Sequence, residues 1–197
     1  MSDEEKVVNW LEENYKGIIL GLIIGISILY GYKTYVSNQN SHQLEISRLY
    51  DLAIESYTNG DPSSILSFSK RYMDSDPSNI YTQLASFYSA KIMYEKNNNI
   101  DAISYLTHII ENSNDKEIKE LAIHRKAKVL VELNKIDDAL KIIDFNTQNY
   151  QLIELRSDIY VIQEKYLLAE KGYKQVLSYE LTPNERKNIN AKLNTLK

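Results

Sequence analysis

The chain has 197 residues, 43% hydrophobic and 25% charged, which is enough for one ordinary domain and a short additional segment. Its formal net charge is −4, so it lacks the excess positive charge with which proteins attract phosphate backbones, and nucleic-acid binding is disfavoured. It contains no cysteine, which excludes disulfide bonds, thiolate nucleophiles and cysteine-based zinc sites.

The first predicted element is a membrane-spanning helix over residues 17–36, preceded by a short tail of residues 1–16. The beginning of this helix is an uninterrupted run of uncharged residues. Twenty helical residues span about 30 Å, which matches the hydrocarbon core of a bilayer. Lys16 and Lys33 flank the uncharged run, and tyrosines cluster at its ends as they do at membrane interfaces.

Two other interpretations of this segment are disfavoured. A cleaved signal peptide normally has a basic leading region and a small-residue cleavage site, whereas this chain begins with an acidic segment. A buried core helix normally carries a polar stripe. We therefore expect an uncleaved signal anchor. The lysines on its two sides are too evenly matched to indicate which side of the membrane the rest of the chain occupies.

Glycines within the predicted membrane helix form a second pattern. Gly17, Gly21 and Gly25 are spaced four residues apart, so they lie on one helix face and allow a second membrane helix to approach closely. Glycine is also common in membrane helices that have no such partner. Packing against another membrane protein is therefore one of two interpretations.

From Asn38 onward, apolar residues recur at helical spacing, which predicts an all-α fold. The predicted helices cover 38–59, 63–73, 78–96, 100–112, 115–133, 136–147, 149–164, 166–179 and 183–196. Each of the three prolines follows Asp or Thr, and an N-cap residue followed by proline is a helix start signal. Thr182 and Glu185 also fit a capping box, and Asn114 with Glu117 is a weaker example.

Three segments of this part resemble one another at a spacing close to the 34 residues of a tetratricopeptide repeat. Each contains two small residues twelve positions apart, where the helices of a hairpin would cross, and a large residue four positions later. The small residues are Ala90 with Ala102, Ala127 with Ala139, and Ser157 with Ala169, and the large ones are Leu106, Ile143 and Tyr173. The pattern predicts a tetratricopeptide-like α-solenoid over residues 37–197, capped by the last helix. A generic helical bundle is the alternative.

No motif in the sequence predicts catalysis, a cofactor or a metal site. His42, His108 and His124 are the only imidazoles, and no two of them have metal-ligand spacing. Only Gly60 and Gly172 lie outside the predicted membrane segment, so a glycine-rich phosphate loop is excluded. We therefore expect a binding protein and not an enzyme.

The expected binding surface is the inner face of the first helix in each predicted hairpin. By repeat register, the candidates are Phe87, Lys91, Tyr94, His124, Lys128, Glu154 and Asp158. The alternative is that these residues form an ordinary solvent-facing surface.

The order of these features resembles the ancillary SecYEG translocon subunit family of bacterial inner membranes, over nearly the whole chain. After a short acidic tail, the resemblance is carried by Val8-x-Trp10-x-x-x-Asn14-x-Lys16, Gly31-Tyr32-x-x-Tyr35, Ser41-His42-Gln43, the degenerate repeats, Thr182-Pro183 and Lys192-Leu193-Asn194-x-Leu196. The anchor is richer in isoleucine and tyrosine than is usual for the family, and alanine is sparse in the repeats.

The resemblance implies a single-pass inner-membrane protein with a cytoplasmic tail and a periplasmic repeat domain. It also implies partners: the SecYEG translocon, a membrane-anchored periplasmic prolyl-isomerase-like chaperone, and the translocating client proteins that are handed to periplasmic chaperones. The residues alone leave a second possibility open, a membrane-anchored tetratricopeptide scaffold for another envelope or cytosolic complex.

Overall fold

A computed structural model describes residues 3–196, apart from the side chains of residues 3–8, 11–13, 18 and 40. Within these residues the chain forms nine α-helices and no strand, which confirms the all-α prediction. The helices are α1 (Asp3–Thr58), α2 (Ser63–Ser75), α3 (Ile80–Glu95), α4 (Asn99–Asn112), α5 (Lys116–Glu132), α6 (Ile136–Ile142), α7 (Tyr150–Ile162), α8 (Tyr166–Val176) and α9 (Pro183–Asn194).

The chain divides into two compact units, Met1–Leu49 and Tyr50–Lys197. The first consists of the greater part of α1, in which every described side chain from Asn14 to Gln39 is exposed. By length and composition, the segment Asn14–Thr58 contains a stretch that is apolar enough to cross a membrane. A long apolar helix without a covering layer in its own chain fits the predicted membrane helix and not a buried core helix.

Helix α1 differs from the prediction in its continuity. The sequence pattern indicated separate helices over 17–36 and 38–59, whereas the structure has one uninterrupted helix from Asp3 to Thr58. No glycine or proline lies between Gly31 and Gly60, so the polar residues after 36 change the surface of the helix without breaking its backbone.

The second unit consists of helical hairpins that share one type of turn. In each turn, the residue at positive φ donates its amide to the carbonyl three residues earlier, and its two neighbours donate to carbonyls four and five residues earlier, at 2.8 to 3.1 Å. The residues at positive φ are Gly60, Asn97, Asn134 and Glu164. Their spacing of 37, 37 and 30 residues repeats the spacing of the alanines, so the predicted repeats are confirmed.

The turn at Gly60 identifies a fourth, N-terminal hairpin that the sequence pattern did not reveal. It pairs the end of α1 with α2, and Tyr50 packs edge-on against Phe68 with ring centroids 5.9 Å apart. Ala53 is buried 37 residues before Ala90, as the repeat requires. The buried residue at the second crossing position is Ile65 where the later hairpins have alanine, and this is why the copy was missed.

Small residues lie where the paired helices cross, as predicted. Ala102, Ala139 and Ala169 are completely buried. Helices α7 and α8 approach most closely at Gly172, where an added methyl group would overlap the Ser157 hydroxyl and lie 3.2 Å from its Cβ. The large residues Leu106, Ile143 and Tyr173 are buried as well, each in a cluster that joins neighbouring helices.

Helix α6 ends at Ile142, five residues earlier than predicted. The buried Arg156 of α7 donates to the carbonyls of Asp144 at 3.1 Å and Phe145 at 2.8 Å, so these carbonyls are bonded outside any helix. Helix α6 has seven residues where α4 has fourteen, and this difference accounts for the shorter spacing of the last repeat.

Three helix starts test the predicted caps. Thr182 and Glu185 form the predicted capping box of α9. Helix α3 begins at Ile80 because the Asn79 side chain accepts from the Tyr81 amide at 2.9 Å, so the predicted start at Pro77 is wrong. Helix α5 is capped by Asp115 and not by Asn114, since the Asp115 carboxylate accepts from the next two helical amides.

Candidate partner-binding groove

A groove of about 290 Å³ lies between α3, α4 and α5. Its floor is apolar and its rim carries polar and charged groups. The floor residues are Phe87, Ala90, Ala102, Leu106 and Val129, and the rim residues are Lys91, Tyr94, Arg125, Lys128 and Glu132. These ten residues are called the open groove below. It contains Phe87, Lys91, Tyr94 and Lys128 of the predicted binding surface.

The rim of the open groove is positively charged in a chain of negative net charge. Lys91 lies 3.7 Å from Glu95, but both side chains are more than half exposed, so this pair is weak. Lys128 makes no ion pair with any residue that the structure describes. The hydroxyl of Tyr94 donates to Glu132 at 2.5 Å, which leaves three cations against one carboxylate that already has a donor.

Arg125 joins the rim to the floor. Its guanidinium lies 4.6 Å from the centroid of the Phe87 ring, a cation–π distance. Burial lowers the pKa of Arg125, with Tyr88 acting in the opposite direction, and an arginine at physiological pH keeps its charge. The stacking holds the cation beside the apolar floor.

On α7, the equivalent register positions carry carboxylates instead of lysine. Glu154 and Asp158, called the acid pair below, both bind Lys192 of α9, whose ammonium nitrogen lies 2.7 Å from an oxygen of each. The hydroxyl of Tyr173 donates to Asp158 at 2.6 Å. Burial lowers the pKa of Lys192, but the hydrogen bonds with Asp158 and Glu154 outweigh burial and raise it above the ordinary value. The acid pair is therefore neutralised within the chain.

His124 lies between the open groove and the acid pair. Burial lowers its pKa, and the charges of Lys128 and Arg125 act in the same direction, while Glu154 and Asp158 oppose them. The imidazole is thus mostly neutral near pH 7 and separates a basic from an acidic stretch of the same helical face.

A family model described as a tetratricopeptide repeat-like domain matches residues 8–197. The chain belongs to this family. The match includes the apolar part of α1 together with every hairpin, so the fold class predicted above, a membrane helix followed by a tetratricopeptide-like solenoid, is confirmed.

Curated relatives with a common name match most of this tetratricopeptide-like chain. It is 26% identical to the "Ancillary SecYEG translocon subunit" of Escherichia coli (strain K12) over 98% of this chain and 94% of the relative. Proteins of the same name from Neisseria gonorrhoeae and Aggregatibacter actinomycetemcomitans are 28% and 27% identical, covering 85% and 84% of this chain and 82% of each relative. The resemblance inferred from the sequence is confirmed. No solved structure matches the chain significantly.

The glycine face of α1 is open within the chain. At Gly17, Gly21 and Gly25, no described atom lies within 4 Å of the place where a Cβ would stand. The glycines are therefore accessible to a second helix, and the packing itself stays a prediction.

Two groups of side chains were missed by the sequence analysis, namely Arg125 with Glu132 in the groove and Tyr173 with Lys192 beside the acid pair. A shared spacing could have found three of them, because Phe87 with Arg125, Tyr94 with Glu132, and Glu154 with Lys192 are each 38 residues apart. No three His, Asp or Glu side chains within the described part of the chain are placed to hold a metal ion.

Proposed function

We propose that the chain is an ancillary subunit of the SecYEG translocon that acts by protein–protein binding and not by catalysis. The observation that carries this proposal is the alignment of relatives bearing that name over 98% of the chain in the best-covered case. The exposed apolar segment of α1 supports a membrane anchor over 17–36, and the open groove supports a binding role.

The proposal includes an orientation. The tail of residues 1–16 is cytoplasmic, and the repeat domain over 37–197 lies in the periplasm beside the exit of the channel. Anchoring concentrates the binding domain near emerging chains, so weak individual contacts are sufficient for capture. The proposed partners are the translocon, a membrane-anchored prolyl-isomerase-like chaperone, and client proteins that pass to periplasmic chaperones.

An affinity purification from gently solubilised inner membranes tests the association. We expect the full chain to retain SecYEG subunits and the prolyl-isomerase-like chaperone. The matched control keeps α1 up to Leu49 and replaces the second unit by an unrelated soluble domain, which should lose the chaperone. Failure of the full chain to retain any translocon subunit would reject the proposal.

Reporter fusions at the C-terminus test the orientation. A periplasmic repeat domain makes an alkaline phosphatase fusion active and leaves a cytosol-dependent fluorescent protein dark. The reverse outcome would reject the periplasmic orientation and favour a scaffold of a cytosolic complex.

The glycine face of α1 is proposed to pack against a membrane helix of the translocon. Gly21→Leu places a large side chain at the centre of this face and should weaken SecYEG retention. The matched control, Ile24→Leu, keeps the volume of an exposed side chain and should leave retention unchanged. Equal retention by both variants would remove this contact from the proposal.

A further inference from the structure

We infer that the open groove binds an internal polypeptide segment in which a large apolar side chain is flanked by acidic side chains. The inference rests on the proposed function, which it deepens by naming the chemistry of the bound segment. It combines the apolar floor, the cations on both walls, and the contrast with the acid pair.

The floor sets the size of the bound group. Phe87, Leu106 and Val129 supply the larger apolar side chains, with alanines between them. A volume of about 290 Å³ is at the lower limit of the range for ligand pockets, which suits one large side chain and its neighbours better than a complete cofactor. Filling the groove with an aliphatic or aromatic side chain removes apolar surface from water on both partners.

The walls set the charge of the bound segment. Lys91 projects from α3, and Arg125 and Lys128 project from α5, so the floor has cations on two sides. Arg125 is already ordered by its stacking on Phe87, which reduces the entropy that binding must remove. Two side-chain carboxylates on either side of an apolar residue match this arrangement better than a single terminal carboxylate.

The acid pair provides the converse arrangement within the same molecule. Asp158 occupies on α7 the register position that Lys128 occupies on α5, and it is satisfied by an ammonium group that the next helix supplies. At Lys128 the charge is inverted, and no carboxylate among the described residues pairs with it. A carboxylate from another chain would complete the groove as Lys192 completes the acid pair.

Fluorescence polarisation on the full chain in nanodiscs tests the inference with labelled, C-terminally amidated peptides. The first carries Leu-Phe flanked by Glu on both sides, the second has Lys in place of both Glu, and the third has Ser in place of Leu-Phe. We expect the first to bind at least ten times more tightly than either of the others. Equal affinities, or no saturable binding of the first, would overturn the inference.

A fourth peptide carries Leu-Phe at a free C-terminus and no Glu, and it separates the two sources of carboxylate. We expect it to bind more weakly than the first peptide. Tighter binding would overturn the assignment to an internal segment.

The double variant Lys91→Glu with Lys128→Glu tests the location. It should weaken binding of the first peptide at least tenfold and improve binding of the lysine peptide. The control, Lys174→Glu, changes an exposed lysine of α8 and should leave both affinities unchanged. Circular dichroism checks that each variant is folded, and unaltered peptide affinity in a folded double variant would overturn the inference.

The same variants separate this inference from the proposed function. If SecYEG retention persists while the peptides fail to discriminate, the inference is rejected and the translocon association stands. If the peptides discriminate as expected while the native chain retains no SecYEG, the groove chemistry stands and the proposed function is rejected.

Discussion

The open groove and the acid pair lie at equivalent register positions of successive hairpins, yet only one of them is available to a partner. On α3 and α5 these positions carry Lys91 and Lys128, which face a groove without a bound carboxylate from the described chain. On α7 the position carries Asp158, and α9 supplies its counter-charge. The repeat register therefore specifies which face a residue lies on, whereas the following helix decides whether that residue is free to bind.

The strongest way to break this difference is to detach α9. Ile189 is buried in the cluster that joins α9 to α7 and α8, and Ile189→Ala should reduce the free energy of unfolding by about 3 kcal/mol through lost burial and a cavity. Urea denaturation of the full chain in detergent, followed by circular dichroism, measures this loss. Asn190→Ala, at an exposed neighbour, should change stability by less than about 0.5 kcal/mol. Equal effects of the two variants would contradict the assigned role of Ile189.

A smaller effect is expected at the crossing of α7 and α8. Gly172→Ala introduces a methyl group that overlaps the Ser157 hydroxyl, and overpacking of this kind costs about 1 to 3 kcal/mol, partly offset by the helix preference of alanine. In a Ser157→Ala background the overlapping oxygen is absent, so Gly172→Ala should cost about 1 kcal/mol less. A double-mutant cycle of unfolding free energies measures the coupling, and additivity would contradict the steric explanation.

Removing the counter-charge sharpens the comparison directly. Lys192→Met leaves Glu154 and Asp158 close together without their cation, and because all three groups are about one-third exposed we expect a loss of about 1 kcal/mol. The control, Lys174→Met, removes an exposed pair with Glu170 and should cost only about 0.3 kcal/mol. A loss for Lys192→Met no larger than that of the control would show that the acid pair does not depend on α9.

The smallest effect is a pH dependence at the boundary between the two regions. The pKa of His124 is lowered in the folded chain by burial and by Lys128, so the unfolded chain binds the proton more readily. The associated stability is complete above the ordinary histidine pKa of about 6.5 and declines as the pH falls below it.

We therefore expect the free energy of unfolding to decrease between pH 7.5 and 5.5, with a smaller decrease in His124→Gln. Burial also lowers the pKa of His108, against the opposing charges of Asp74 and Glu111, so His108→Gln should remove a separate part of the same slope. An unchanged slope in both variants would contradict the burial argument.

The solenoid was predictable because its hairpins require small residues at fixed positions. Alanine at 102, 139 and 169 and the turn at Asn134 follow from the close crossing of two helices, which leaves a local signal in the sequence. The first hairpin lacks that signal because Ile65 replaces the alanine. The length of α6 depends on contacts from Arg156 in the following helix, and a local pattern contains no information about them.

The candidate site was predictable to a similar extent and for a similar reason. Register placed Phe87, Lys91 and Lys128 on one face, and the structure brings them to one groove. The pairing of Glu154 with Lys192 spans 38 residues and depends on how the last helix is seated, so helical periodicity alone did not reveal it.

The seating of Lys192 also limits how an array of this kind can grow. A hairpin inserted between α8 and α9 would separate the lysine from its two carboxylates and leave them facing a new helix that must supply its own base. A hairpin inserted between α4 and α5 would keep that end intact but divide the cationic rim. Lengthening at the N-terminal hairpin disturbs neither arrangement, so additional repeats are most easily accommodated there.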